Sequence, residues 1–385
     1  MTEWKVSLAD VDLGQEEIAA VSQVLKSRWL TMGPVTEEFE EKAARYLGVK
    51  HAFAVTNGTA ALHIAHQVLG IGIGDEVICP SLTFVATANS ILYTGAKPVF
   101  ADIIGMDNLN ISPEDIEAKI TPQTKAITVV HYGGYPCDMK KIIDIARRLK
   151  LFVIEDAAHA IGAEFEGKKC GAMGDIGCFS FFSNKNMTTG EGGMVVTNHD
   201  DLAKKIRVFR SHGMTALTWD RHRGHASSYD VTMLGYNYRI DEIRSAIGLV
   251  QLRSLESNNG KRRTLVKRYV EQLTDMKGIE IPFKTFRGNS AYHLFPIVLN
   301  TPKMNQPDMM AGLKSRGIQT SIHYPPVHLL DYYRKLLGYP KGSFPKTEEM
   351  AKKLVTLPLF PKMNNKQMDM VIHSVRALLG GVRHE

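Results

Sequence analysis

Through its first two thirds the chain alternates short apolar runs with stretches whose apolar residues recur every three or four positions. The runs at 52–55, 76–79, 97–100 and 126–130 predict strands, and 59–69, 84–93, 112–120 and 139–149 predict helices, with Ser112 capping the third. One more apolar run, 151–154, ends in Glu155-Asp156. Regular alternation of this kind predicts an α/β fold, with helices packed on a mixed, mostly parallel sheet. After Asp156 the pattern changes to two strands, 178–182 and 193–197, joined by a segment that carries Lys185. Helices at 200–210 and from 240 onward follow. Beyond residue 256 the chain is basic and helical (261–272), gives short strands at 293–298 and 319–322, and closes with a helix at 365–379. This divides the chain into a large domain, 1–255, and a smaller C-terminal α+β domain, 256–385.

Composition narrows the class. At 385 residues the chain exceeds what one hydrophobic core organises, which agrees with two domains. With 44% apolar and 23% charged residues it reads as an ordinary globular protein. The net charge of +7 is spread along the chain and mixed with 40 acidic residues, so no nucleic-acid partner is expected, while anionic small molecules are favoured. Cys79, Cys137, Cys170 and Cys178 have neither metal-type spacing nor the density of a disulfide framework, so no metal site is expected and reduced thiols in the cytoplasm are. The N-terminus lacks a signal-like apolar core and no run of eighteen apolar residues occurs, so secretion and a membrane partner are not expected.

Lys185 sits between a buried-strand pattern and the turn Gly190-Glu191-Gly192-Gly193, and Asp156 ends an earlier strand. An aldehyde cofactor needs an amine that sheds its proton near neutral pH, which desolvation favours. A carboxylate must also keep the cofactor's pyridine nitrogen protonated. Lys185 and Asp156 therefore predict a pyridoxal 5'-phosphate site, with Lys185 both holding the cofactor and catalysing. Thr56-Asn57-Gly58-Thr59 joins a strand to a helix start, where free N–H groups favour an anion, so Gly58 and Thr59 form the expected phosphate cup. Ser180 and Ser183 can add hydroxyls to the phosphate or bond locally to the backbone. Phe84 can stack on the pyridine ring or serve as core. His159 can bond the cofactor's phenolic oxygen or hold Asp156 in place.

Several of these segments, with Gly74-Asp75-Glu76-Val77-Ile78, Thr83-Phe84-Val85-Ala86, Glu155-Asp156-Ala157-Ala158-His159 and Leu234-Gly235-Tyr236-Asn237-Tyr238-Arg239, resemble the DegT/DnrJ/EryC1/StrS family of sugar aminotransferases. The resemblance runs from Trp29 to Pro361. It implies a fold type I pyridoxal phosphate enzyme working as a homodimer with shared active sites. It also implies that Asn237 reaches the phosphate from the neighbouring subunit and that Arg239 lies near the donor's carboxylate. The implied reaction moves an amino group from L-glutamate to a nucleotide-linked keto-sugar in two half-reactions, with Lys185 carrying the proton in both. Family members that dehydrate sugars carry histidine where Lys185 stands, which disfavours dehydration here.

Two segments bear on the substrate. The basic and aromatic cluster at 219–225 reads either as a diphosphate clamp, with Arg221 and Arg223 as forks, or as an exposed interface loop. The segment 323–328 resembles the family's segment near the sugar pocket, which implies that Tyr324 or His328 contacts substrate, while its rigid prolines equally predict packing of the small domain against the large one. Loops near Thr31, Met32 and Tyr324 are expected to set how the sugar lies. Two other readings remain beside the keto-sugar: a free ketone such as a cyclitol as acceptor, and a regulator that binds the cofactor without turnover. The intact Lys185, Asp156 and glycine turn argue against the regulator.

Overall fold

The computed structural model describes residues 4–216 and 228–380. Its strands, in chain order, are β1 (His51–Val55), β2 (Glu76–Pro80), β3 (Lys97–Ala101), β4 (Thr124–Val130), β5 (Phe152–Asp156), β6 (Glu164–Phe165), β7 (Lys168–Lys169), β8 (Ile176–Ser180), β9 (Gly193–Thr197), β10 (Ile279–Glu280), β11 (Phe295–Leu299) and β12 (Leu354–Leu357). Seven of them form the main sheet in the order β1-β9-β8-β5-β4-β2-β3. The run β8-β5-β4-β2-β3 is parallel, whereas β9 is antiparallel to both its neighbours. Strands of this sheet are apolar almost throughout because helices cover both faces. Ala126 and Ile154 pack into one core layer with the helix Gly58–Val68, and Ile127 and Val153, their neighbours in sequence, pack into the opposite layer with Met139–Leu149.

The C-terminal part is the antiparallel sheet β10-β11-β12, covered by the helices Gln306–Ser315 and Asn365–Gly380. A single 32-residue helix, Glu242–Leu273, runs through the 255/256 position and packs into the cores around both sheets. Val6 joins the C-terminal core, its N–H bonding to the Gly317 carbonyl at 3.1 Å. No helix among the described residues is long and apolar enough to cross a membrane.

Three differences from the sequence reading have physical causes. The 319–322 segment makes one isolated bridge, Ser321 to Thr356, instead of a strand, and β12 takes the ladder position beside β11. Gln15–Ser27 and Pro34–Leu47 are helices that the sequence did not announce, because both begin at glycine with no side-chain oxygen of the N-cap bonding back. The second is capped from 206 residues away: Glu242 accepts from the Gly33, Val35 and Thr36 N–H groups, each at 2.9 Å.

Candidate active site

Parallel strands put their C-terminal ends on one edge of a sheet, and the chemistry-bearing residues gather there. They line a cavity of about 790 Å³. Asp156, at the end of β5 and 5% exposed, accepts from Thr87 Oγ1 at 2.8 Å and from the Ala158 N–H at 3.2 Å. Thr87 is itself held by Thr83, Oγ1 to Oγ1 at 2.9 Å. Burial raises the Asp156 pKa, and the bonds from Thr87 and Ala158 and the positive charge of Lys185 oppose the rise. Lys185 lies in the turn between β8 and β9, its N–H bonded to the Phe182 carbonyl at 2.9 Å. Although the residue as a whole is half-buried, its amine is desolvated enough to bring the pKa down to about 8, against the pull of Asp156.

At another part of the wall, the helix Gly58–Val68 begins at Asn57, whose Oδ1 accepts from the Ala60 N–H at 2.8 Å. The N–H groups of Gly58 and Thr59 precede any helical carbonyl they could reach. Close backbone approach holds this start in place: a Cβ on Gly58 would lie 2.8 Å from Ser180 Cβ, and one on Gly193 would lie 2.5 Å from the Asn57 carbonyl carbon. Gly58, Thr59 and Ser180 all face the cavity, while Ser180 Oγ also takes the local bond, accepting from the Phe182 N–H at 3.4 Å.

His159 is buried, with Nε2 3.0 Å from the Tyr324 hydroxyl and no hydrogen-bond partner for Nδ1. Burial and the nearby Lys185 hold its pKa well below the usual histidine range. Phe84 is 56% exposed on the cavity wall, its ring 5.9 Å from that of Tyr324.

Other expected site residues lie elsewhere. Ser183 is not among the cavity-lining residues. Neither are Asn237, which is exposed, and Arg239, whose Nη1 donates to Ser211 Oγ at 3.0 Å. Thr31 is exposed and Met32 buried, both away from the wall. His328 corrects the substrate-contact reading: it is 0% exposed, with Nδ1 2.6 Å from Ser81 Oγ and Nε2 3.1 Å from Glu348, so no ring nitrogen is left for a substrate. Arg221 and Arg223 lie outside the described residues. Conversely, Thr83, Asn184, Glu191, Tyr238 and His323 line the cavity without having been singled out, and Thr87 supports it from behind. The spacing of Thr83 and Thr87, four apart at a helix start, was the available signal.

These residues fit pyridoxal phosphate. A desolvated amine faces a buried carboxylate, a helix start is kept open by two glycines, and the cavity-lining His159 has an unpartnered buried nitrogen. Fold and site together define a pyridoxal phosphate-dependent aminotransferase of fold type I. Residues 11–376 match the model of the DegT/DnrJ/EryC1/StrS aminotransferase family, and the chain belongs to that family of sugar aminotransferases. It is 42% identical over 373 residues to the spore coat polysaccharide biosynthesis protein SpsC of Bacillus subtilis, covering 96% of each chain. Helicobacter pylori PseC, an aminotransferase of pseudaminic acid biosynthesis, superposes with a TM-score of 0.91 at 31% identity, over 98% of this chain and 100% of that one. The PLP form of Spr1654 from Streptococcus pneumoniae superposes with a TM-score of 0.89 at 28% identity, over 97% and 98% of the two chains.

Proposed function

We propose that the protein transfers the amino group of L-glutamate to a nucleotide-linked keto-sugar, working as a cytoplasmic homodimer. The observation that carries the reading is the desolvated Lys185 amine beside buried Asp156 in a cavity open to solvent. When bound, pyridoxal phosphate supplies an aldehyde and an electron-withdrawing ring that acidifies the donor's α-hydrogen. Lys185 would hold the cofactor's aldehyde carbon, and its Nζ, when free, would take the donor α-proton. With the keto-sugar the same amine delivers a proton to the sugar carbon, so that one group is tether, base and acid. Asp156 holds the pyridine N–H, oriented by the Thr87 hydroxyl. The N–H groups of Gly58 and Thr59 and the Ser180 hydroxyl hold the phosphate, Phe84 covers one ring face, and His159 Nδ1 bonds the phenolic oxygen.

The substrate side rests on the family. Asn237 of the partner subunit reaches the phosphate and Arg239 pairs with the glutamate carboxylate. The exposure of Asn237, away from its own chain's cavity, and of neighbouring Leu234 at 82% supports a role across an interface. Tyr324 bounds the sugar pocket, and Arg221 and Arg223 clamp the diphosphate.

The test is the visible absorption spectrum of protein loaded with pyridoxal phosphate, before and after L-glutamate, with Lys185→Ala alongside. The wild type is expected to show the band of lysine-bound cofactor and to convert it to the pyridoxamine phosphate band with glutamate. Lys185→Ala is expected to lack the first band. A band unmoved by glutamate would overturn the donor assignment. A nucleotide keto-sugar that failed to restore the first band would overturn the acceptor.

A further inference from the structure

Behind Lys185, away from the cavity, lies a buried polar network that none of the roles above uses. Asn186, the residue next to the lysine, donates through Nδ2 to Asn259 Oδ1 at 2.8 Å and to the Ala291 carbonyl at 2.6 Å. Both amide hydrogens are thereby engaged, so Asn186 Oδ1 is an acceptor, and it lies 2.9 Å from His293 Nδ1. Asn259 is oriented in turn, because its Nδ2 donates to the Ile161 carbonyl at 3.0 Å. That chain of bonds assigns the tautomer of His293: the proton is on Nδ1, donated to Asn186. Across its other side the His293 ring lies 4.5 Å from the His159 ring, tilted by 33°. His293 thus touches both the segment that carries the amine and the histidine with the open Nδ1.

We infer that His293 is a positioning residue for Lys185, its Nδ1–H to Asn186 fixing the backbone beside the lysine while its ring backs His159. The inference rests on Lys185 being the amine that holds the cofactor. Reach makes the backbone beside the lysine matter. A lysine side chain has four rotatable bonds, so its amine is placed only as well as its backbone, and a misplacement of about 1 Å can slow a reaction by about 10²-fold. Burying Asn186, Asn259 and His293, each at most 6% exposed, is tolerable only when their hydrogen bonds are made, so the network has one arrangement. The groups facing His293 are His159, Lys185, Arg262, whose Nη1 approaches the His293 carbonyl at 3.5 Å, and His323. Burial first, and then these neighbours, hold its pKa well below the usual range, which keeps Nδ1–H as the donor and adds no second cation beside the lysine.

The experiment compares His293→Asn, whose amide can donate from near the Nδ1 position, with His293→Leu, which fills similar space without a donor, and with Asn186→Ala. Each is purified with cofactor and checked for an unfolding midpoint near that of the wild type. His293→Leu and Asn186→Ala are expected to lower kcat by about 10-fold or more with KM for glutamate within about 3-fold, and to shift the pH at which the lysine-bound cofactor band changes. His293→Asn is expected to recover most of both. Folded His293→Leu and Asn186→Ala proteins with wild-type kcat and an unshifted band would overturn the inference, as would His293→Asn losing as much as His293→Leu. If either of the first two fails to fold, His293→Asn against wild type decides it, because loss of kcat there with the band pH unmoved assigns the effect to packing. Persistence of the band in Lys185→Ala would instead refute the function assigned to the lysine.

Discussion

Glu155 and Asp156 are consecutive carboxylates on β5, both buried, and their surroundings differ completely. Strand geometry sends the two side chains to opposite faces of the sheet. Glu155 turns away from the cavity and accepts from the Gly171, Met173 and Gly174 N–H groups at 2.6–2.7 Å and from His131 Nε2 at 2.9 Å. His131 Nδ1 accepts from the Cys137 N–H at 3.1 Å, which puts the ring proton on Nε2, facing Glu155. Every atom of that pair is used in joining the loop before β8 to the end of β4. Asp156 faces the cavity with two internal donors and the lysine amine, and the histidine on its side, His159, keeps one nitrogen unpartnered. The same residue types on one strand therefore build a structural staple on one face and the candidate reaction site on the other, and the difference is how many of their bonds the protein itself completes.

The largest expected effect is at the staple. Glu155→Ala leaves three backbone N–H groups and the His131 ring without an acceptor. A loss of about 3–5 kcal/mol in unfolding free energy is expected, measurable by urea denaturation. Asp156→Asn, by contrast, is expected to leave unfolding within about 1 kcal/mol while lowering kcat by about 10²-fold, as single-turnover kinetics with glutamate would show. If the two variants exchanged phenotypes, Glu155 would belong to the reaction and Asp156 to the staple. Thr87→Val removes one bond to Asp156 at nearly constant shape, and kcat is expected to fall about 10-fold.

The smallest effect is in pH. The Lys185 pKa is lowered from 10.5 to about 8, so the reactive free amine is the minor form at pH 7 and half the total near pH 8. The rate at which cofactor-free protein captures pyridoxal phosphate is expected to rise roughly fivefold between pH 7 and 8 and to level off above pH 9. For stability the sign follows from the same shift. Between about 8 and 10.5 the unfolded chain binds the proton that the folded lysine has lost, so Lys185 contributes stability that rises with pH through that window. Titrating the unfolding free energy of wild type against Lys185→Met isolates that contribution, and a difference that stayed flat with pH across the window would show the amine to be solvated.

Much of the site was legible because its signals are local. Lys185 is framed by a strand and glycines, Asp156 ends an apolar run, and Asn57, Gly58 and Thr59 join a strand to a helix, so each announces its surroundings within a few residues. The residues that stabilise and aim them were not legible. Glu242 caps a helix 206 residues earlier, and His293 reaches Asn186 across 107 residues. His328 differs for the same reason: the resemblance of its segment to the family's sugar-pocket segment predicts a pocket wall, whereas contacts with Ser81 and Glu348, 247 and 20 residues away, turn it inward.

The sequence by itself determined most of the strand and helix succession, the mostly parallel sheet and the candidate lysine and carboxylate, because apolar period and turn chemistry act between near neighbours. Only the tertiary structure decided which face each of Glu155 and Asp156 serves, which histidine nitrogens stay open and what fixes the backbone beside Lys185. Those choices depend on hydrogen bonds between residues far apart in the chain, and such bonds exist only once burial has brought the partners together and made leaving them unpaired expensive.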